Sequence, residues 1–280
     1  MIPTFVIFLR EGIEASMIVA ILLSYLVKIG KREHFRDVWM GVLSALILVV
    51  VGGVAAYFLV RRYDGSNVQT YFETATYILA ACFLTAMTFW MGKHARTMAK
   101  ELESRSEAAL TTGGRWALGV LAFQAVLREG LETMIFTLAI IFASSRQAIT
   151  PVHGNLLLVG ALAGLVVAMG IALAIYRAGA KINMRRFFRV LGILLMVFAA
   201  GLLADAIENL QQLNWLPFFK NVLWNSQGAL REDSNIGDVM HSLVGYADHP
   251  TLLQALVWTA YAGVAVTVFV RLGKTKKVRH

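Results

Sequence analysis

Two short stretches of this chain carry ionisable groups into apolar surroundings. Leu9-Arg10-Glu11-Gly12-Ile13-Glu14 and Leu127-Arg128-Glu129-Gly130-Leu131-Glu132 agree at five of six positions, 118 residues apart. Glutamates three apart project about 60° from each other on a helix, so Glu11 with Glu14, and Glu129 with Glu132, each form a two-carboxylate face. Arg10 and Arg128 stand four residues before the second glutamate and share that face. A donor set of carboxylates alone suits hard cations such as Fe(III), Mn(II), Mg(II) or Ca(II), and suits Cu(I) or Zn(II) poorly. The six histidines fall in loops, at helix ends or in the tail, and the one cysteine, Cys82, lies away from both pairs. Met17 and Met134 follow the pairs closely and read as packing residues. No glutamate is followed by the Glu-x-x-His spacing of di-iron enzymes, which favours a transporter over an enzyme.

Six charged groups inside membrane helices would cost roughly 15–20 kcal/mol before compensation. They must therefore face inward and pair. Two arginines match two glutamates, and a bound cation would neutralise the two carboxylates left over. The purely structural alternative is a pair of Arg–Glu bridges in which the remaining glutamates are protonated. Gly12 and Gly130, inside the pairs, would allow either close helix approach or local unwinding.

The elements that must carry these residues are membrane helices. The chain has 280 residues, of which 58% are apolar and 15% charged; a soluble domain carries about 25% charged residues. Seven apolar segments stand out, at 4–27, 38–60, 70–91, 116–143, 153–176, 187–208 and 251–270. Each is long enough to cross roughly 30 Å of hydrocarbon. None alternates with period two, which predicts an all-α polytopic membrane protein. The start of the chain has no basic leader, so the first segment is expected to remain as a helix.

The first, third and fifth loops and the tail hold 18 Lys and Arg, with Arg189 just inside the sixth segment, against 5 in the other loops. That bias puts the N-terminus outside and the C-terminus in the cytoplasm. It also explains the net charge of +9 without a nucleic-acid partner. With three helices per copy, the two motifs run in opposite directions, the pattern of an inverted 3+3 repeat with one added helix. The expected division within a single membrane domain is 1–115 and 116–208 for the repeats, 209–250 for an extracytoplasmic loop, and 251–280 for the last helix and basic tail.

Antiparallel crossing would set Glu14 level with Glu129 and Glu11 level with Glu132. Glu73 at the outer start of the third segment, and Asp205 and Glu208 at the outer end of the sixth, would form an outer vestibule gathering cations. Ordinary helix ends are the alternative reading, with Glu73 in a first turn. The long sixth loop mixes Trp215, Phe218, Phe219 and Trp224 with Glu232, Asp233, Asp238 and Asp248, which suggests an ordered cap or interfacial helix.

At its two Arg-Glu-Gly-x-Glu motifs the chain resembles the oxidase-dependent iron transporter family, which includes fungal high-affinity iron permeases and bacterial EfeU-type permeases. Further similarity lies in Phe72-Glu73, Phe89-Trp90-Met91 and Ala199-Ala200-Gly201-Leu202. The resemblance implies iron import through Glu11, Glu14, Glu129 and Glu132, with an extracytoplasmic oxidase or iron-binding protein presenting the metal, commonly as Fe(III). It implies a bacterial inner-membrane location, membrane lipid as surroundings, iron as substrate and no organic cofactor. It also implies that any extra extracytoplasmic domain would come from a separate protein. Two alternatives follow from the residues. One is a proton-coupled carrier of another divalent or heavy metal cation; the other is a membrane scaffold whose ion pairs fix assembly.

Overall fold

The computed structural model describes residues 2–63, 65–94, 98–112, 116–147, 154–178, 184–232 and 234–274. Seven long helices match the seven apolar segments: α1 (Ile2–Lys28), α2 (Phe35–Arg61), α3 (Asn67–His94), α5 (Ala117–Gln147), α6 (Gly154–Ala178), α7 (Met184–Gln212) and α9 (Leu252–Lys274). Among the described residues, two shorter α-helices, α4 (Met98–Thr112) and α8 (Asn235–Val244), occupy the expected third and sixth loops. Lys276 and Lys277 of the tail, Asp233, His153, Arg96 and the proposed repeat boundary at 115 lie outside the described residues.

Apolar runs without an internal proline explain the long helices; Pro3 sits in the first turn of α1, where its missing N–H costs nothing. Among the described residues, four stretches are long and apolar enough to cross a membrane: Arg32–Val60, Asn67–Met91, Arg189–Gln212 and Leu252–Arg271. α2 exposes Leu43, Ile47, Val50, Val51, Val54 and Phe58, a surface that only lipid or another apolar partner would cover. These features define an integral membrane protein.

The helices pair in a regular way. α1 packs chiefly on α6, α5 on α2 and α3 on α7, while α1 and α5 cross each other and α9 lies against α7. α4 touches both α1 and α5, and α8 also touches both.

Two buried apolar clusters flank the α1–α5 crossing. One contains Ile7 of α1 and Phe136, Ala139 and Ile140 of α5, with Tyr77, Leu84 and Leu202. The other contains Ile18, Leu22 and Leu26 of α1 and Leu118, Ala122 and Val126 of α5, with Leu102 of α4. α1 therefore runs from the first cluster to the second and α5 from the second to the first. The two motif helices are antiparallel, and the charged motifs lie between the clusters.

Candidate metal-ion site

The motif side chains other than Arg128 and Leu131 turn inward. Arg10, Glu11, Glu14, Glu129 and Glu132 are all buried. One oxygen each from Glu11, Glu14 and Glu129 lies within 4.8 Å of the others, a spacing that a single ion would bridge. Glu132, one turn beyond Glu129, is buried beside them but lies outside that trio. Arg10 Nη1 donates to Glu11 Oε1 at 2.6 Å, and its Nε stands 3.1 Å from Glu14 Oε1. Oε2 of each of the four glutamates is buried with no hydrogen-bond partner. A buried acceptor left without a partner costs about 1–3 kcal/mol, and more when charged. A hard cation matches this set, since its charge and coordination number use several carboxylate oxygens together.

α1 and α5 run unbroken through Gly12 and Gly130, so the glycines serve close approach rather than unwinding. A Cβ on Gly12 would lie 2.9 Å from Ala168 Cβ on α6, and one on Gly130 would lie 2.5 Å from Val49 Cγ2 on α2. Each motif helix is seated against its neighbour at the glycine between its glutamates.

The two arginines, identical in sequence context, differ in surroundings. The Arg10 side chain is 4% exposed and that of Arg128 is 50% exposed. Arg128 Nε is 3.4 Å from Glu132 Oε1 and 4.0 Å from Glu129 Oε1. Its guanidinium lies 4.8 Å from the ring centroid of Trp90, and Nη2 points at Met87 Sδ 3.2 Å away, both on α3.

A cavity of about 910 Å³ lies between the end of α7 and the segment 222–254, and its lining includes Asp205, Glu208, Glu232, His241, Asp248 and His249. Asp205 and Glu208 thus share this space, whereas Glu73 is not in its lining. Glu73 also departs from the expected first-turn position: α3 starts earlier, at Asn67, and Glu73 is buried in the second turn with its Oε1 accepting from Gln69.

His241, which sequence reasoning set aside as a loop residue, is buried on α8. Its Nε2 is 3.7 Å from Asp205 Oδ1, and its Nδ1 is 3.0 Å from Glu232 Oε1 and 2.8 Å from the Tyr246 carbonyl. Burial opposes its charge, but Asp205 first and then Glu232 outweigh it and raise the pKa from 6.5 to about 9.

Donor atoms of Glu232, Asp248 and His249 also fall within 4.8 Å of one another. Here the partners account for the geometry. Glu232 N–H donates to Asp248 Oδ2, Asp248 N–H donates to Glu232 Oε2, and His249 Nδ1 bonds Asp248 Oδ1. We read this trio as a staple joining the two ends of the cap.

Carboxylates buried where two antiparallel membrane helices cross are the kind of feature that marks ion or substrate pathways. The iron permease FTR1 family model matches residues 1–279, and the chain belongs to that family. It is 32% identical over 271 residues to the ferrous iron permease EfeU of Yersinia pestis, covering 96% of this chain and 93% of the relative. It is 31% identical over 272 residues to the protein of that name from Escherichia coli O6:H1, covering 96% and 95%. No solved structure matches the chain.

Proposed function

We propose that the chain is an iron permease of a bacterial inner membrane, carrying iron inward through Glu11, Glu14, Glu129 and Glu132. One observation carries this reading. Carboxylates from two copies of one motif, on helices running in opposite directions, meet in a buried space closed at either end by an apolar cluster. Membership of the iron permease family identifies the cargo.

Seven spanning helices, with the N-terminus outside, form an inverted repeat plus α9. The elements support this at the motif's own offset: α7 ends at Gln212, 118 residues after the end of α3 at His94. Exchanging α1 with α5, α2 with α6 and α3 with α7 turns the α1–α6 contact into α5–α2 and returns α3–α7 to itself. The same exchange relates α4 to α8, since each touches both motif helices. On this basis the second repeat extends past 208 to include α8, and α4 and α8 cover the inner and outer approaches to the site. Ions collect in the cavity beside Asp205 and Glu208, bind the glutamates, and leave inward as the halves rock and α4 gives way. The aromatic outer segment 213–232 is the place for an iron-presenting partner, an oxidase or iron-binding protein, to dock. Carboxylate-only ligation favours a hard ion, Fe(III) above all, while the relatives' name specifies ferrous iron. An assay must therefore offer both.

The test is uptake of radioactive iron, supplied as Fe(II) and as Fe(III), by cells carrying Glu14→Gln or Glu129→Gln. Both variants should reach the membrane at normal levels and lose uptake to the background of cells without the protein. Near-normal uptake in either variant contradicts the site.

A further inference from the structure

The repeat is symmetric in its motifs but not in what holds its arginines. At the 118-residue offset Arg10 corresponds to Arg128, yet Met87 corresponds to Asp205 and Trp90 to Glu208. The outer half carries two acids where the inner half carries a thioether and an indole. Arg10 is buried and bonded to its own glutamates. Arg128 sits on the side of Glu129 toward the start of α5, at 3.4 and 4.0 Å from the carboxylates. Charge-assisted N–H···O bonds run at about 2.7–2.9 Å, so these are long. Arg128 keeps one long hydrogen bond, from Nε to Glu132 Oε1, and its other contacts are on α3: the Trp90 face and the Met87 sulfur. The negative face of an indole attracts a guanidinium without neutralising it, so the cation is held beside the site and stays available to it.

We propose that Trp90, assisted by Met87, is a positioning residue that draws Arg128 back from close pairing with Glu129 and Glu132 and thereby sets the ion affinity of the glutamate site. The inference rests on reading those glutamates as ion ligands. Arg128 and the ion compete for the same carboxylates. Parked on Trp90, the arginine leaves them open to the ion; when the ion leaves inward, the guanidinium has only a short distance to move to take its place. Arg10, which has no such parking place, remains a fixed counter-charge.

The experiment titrates the purified full chain in lipid nanodiscs with Fe(II) under argon, followed by calorimetry, for six proteins: wild type, Glu129→Gln, Trp90→Leu, Trp90→Phe, Arg128→Gln and the double variant Trp90→Leu/Arg128→Gln. A cation–π contact of about 0.5–2 kcal/mol predicts that Trp90→Leu weakens binding about two- to thirtyfold. Trp90→Phe, which keeps an aromatic face, should recover part of the loss. In the Arg128→Gln background, Trp90→Leu should change nothing, because there is no cation left to park; a merely structural role for Trp90 would persist there. Unchanged or tighter binding in Trp90→Leu, or an equal loss in both backgrounds, overturns the inference while the site stands. Binding that survives Glu129→Gln instead overturns the reading of the site, and the inference falls with it.

Discussion

Val49 occupies the space that any side chain at position 130 would need. The 2.5 Å separation between its Cγ2 and a Cβ at 130 is too short for a real contact, and a β-branched valine has little rotamer freedom to yield. Gly130→Ala should therefore push α5 from α2 and cost about 1–3 kcal/mol of stability. The measurement is the thermal unfolding midpoint in detergent, and Val49→Ala in the same chain should restore most of the loss. The residues of the motifs were legible in the sequence because charge in an apolar run has few explanations. Their partners were not. Nothing in two near-identical strings tells that Arg10 is buried while Arg128 rests on Trp90, since that depends on which face of α3 arrives beside α5. For the same reason Glu132 lies outside the trio although its spacing from Glu129 repeats that of Glu14 from Glu11.

The long helices were legible to within a turn at either end, because each is an apolar run bounded by charge. α4 was hidden by its composition. Its sequence is largely polar, and Leu102, Ala109 and Leu110 pack into the cluster around Leu22 and Leu118. α8 does carry local signals. Ser234 Oγ accepts the Gly237 N–H as an N-cap, and Gly245 closes the helix in the left-handed conformation at φ 69°. Its seating depends on His241 between Asp205 and Glu232. Because the folded pKa of about 9 lies above the ordinary 6.5, the charged imidazole contributes fully below about pH 6.5. That contribution, on the order of a few kcal/mol, is lost as pH rises through about 9. Hydrogen exchange of the α8 amides, corrected for intrinsic rates, should accelerate between pH 7 and 10 in the wild type. His241→Gln should show the faster exchange at every pH and little further change. An equal slope in both proteins would contradict the His241 contact.

At the scale of the molecule, the two apolar clusters and the carboxylates between them arrange the charge-bearing segment of each motif helix into a space that neither cluster enters. The cost of burying those groups is what makes the arrangement informative: Arg10 meets part of it, and the unsatisfied glutamate oxygens carry the rest. The sequence suggested that the two motif helices oppose each other, but not that a short helix, α4 or α8, would touch both of them, because α4 and α8 share those contacts rather than residues. If the covers act as the two gates, replacing Leu102 with Asp should loosen the inner one. Proteoliposomes carrying Leu102→Asp should leak iron outward faster than wild type at unchanged iron affinity; equal leak rates would show that α4 is not a gate. The central claim is that one ion is held by carboxylates from both halves. It is tested most directly by iron-edge anomalous diffraction from crystals of the protein grown with iron. The expected result is a single strong peak between α1 and α5, within about 2.0–2.3 Å of oxygens from both glutamate pairs. A peak touching only one pair, or iron found only in the cavity lined by Asp205 and Glu208, would contradict it.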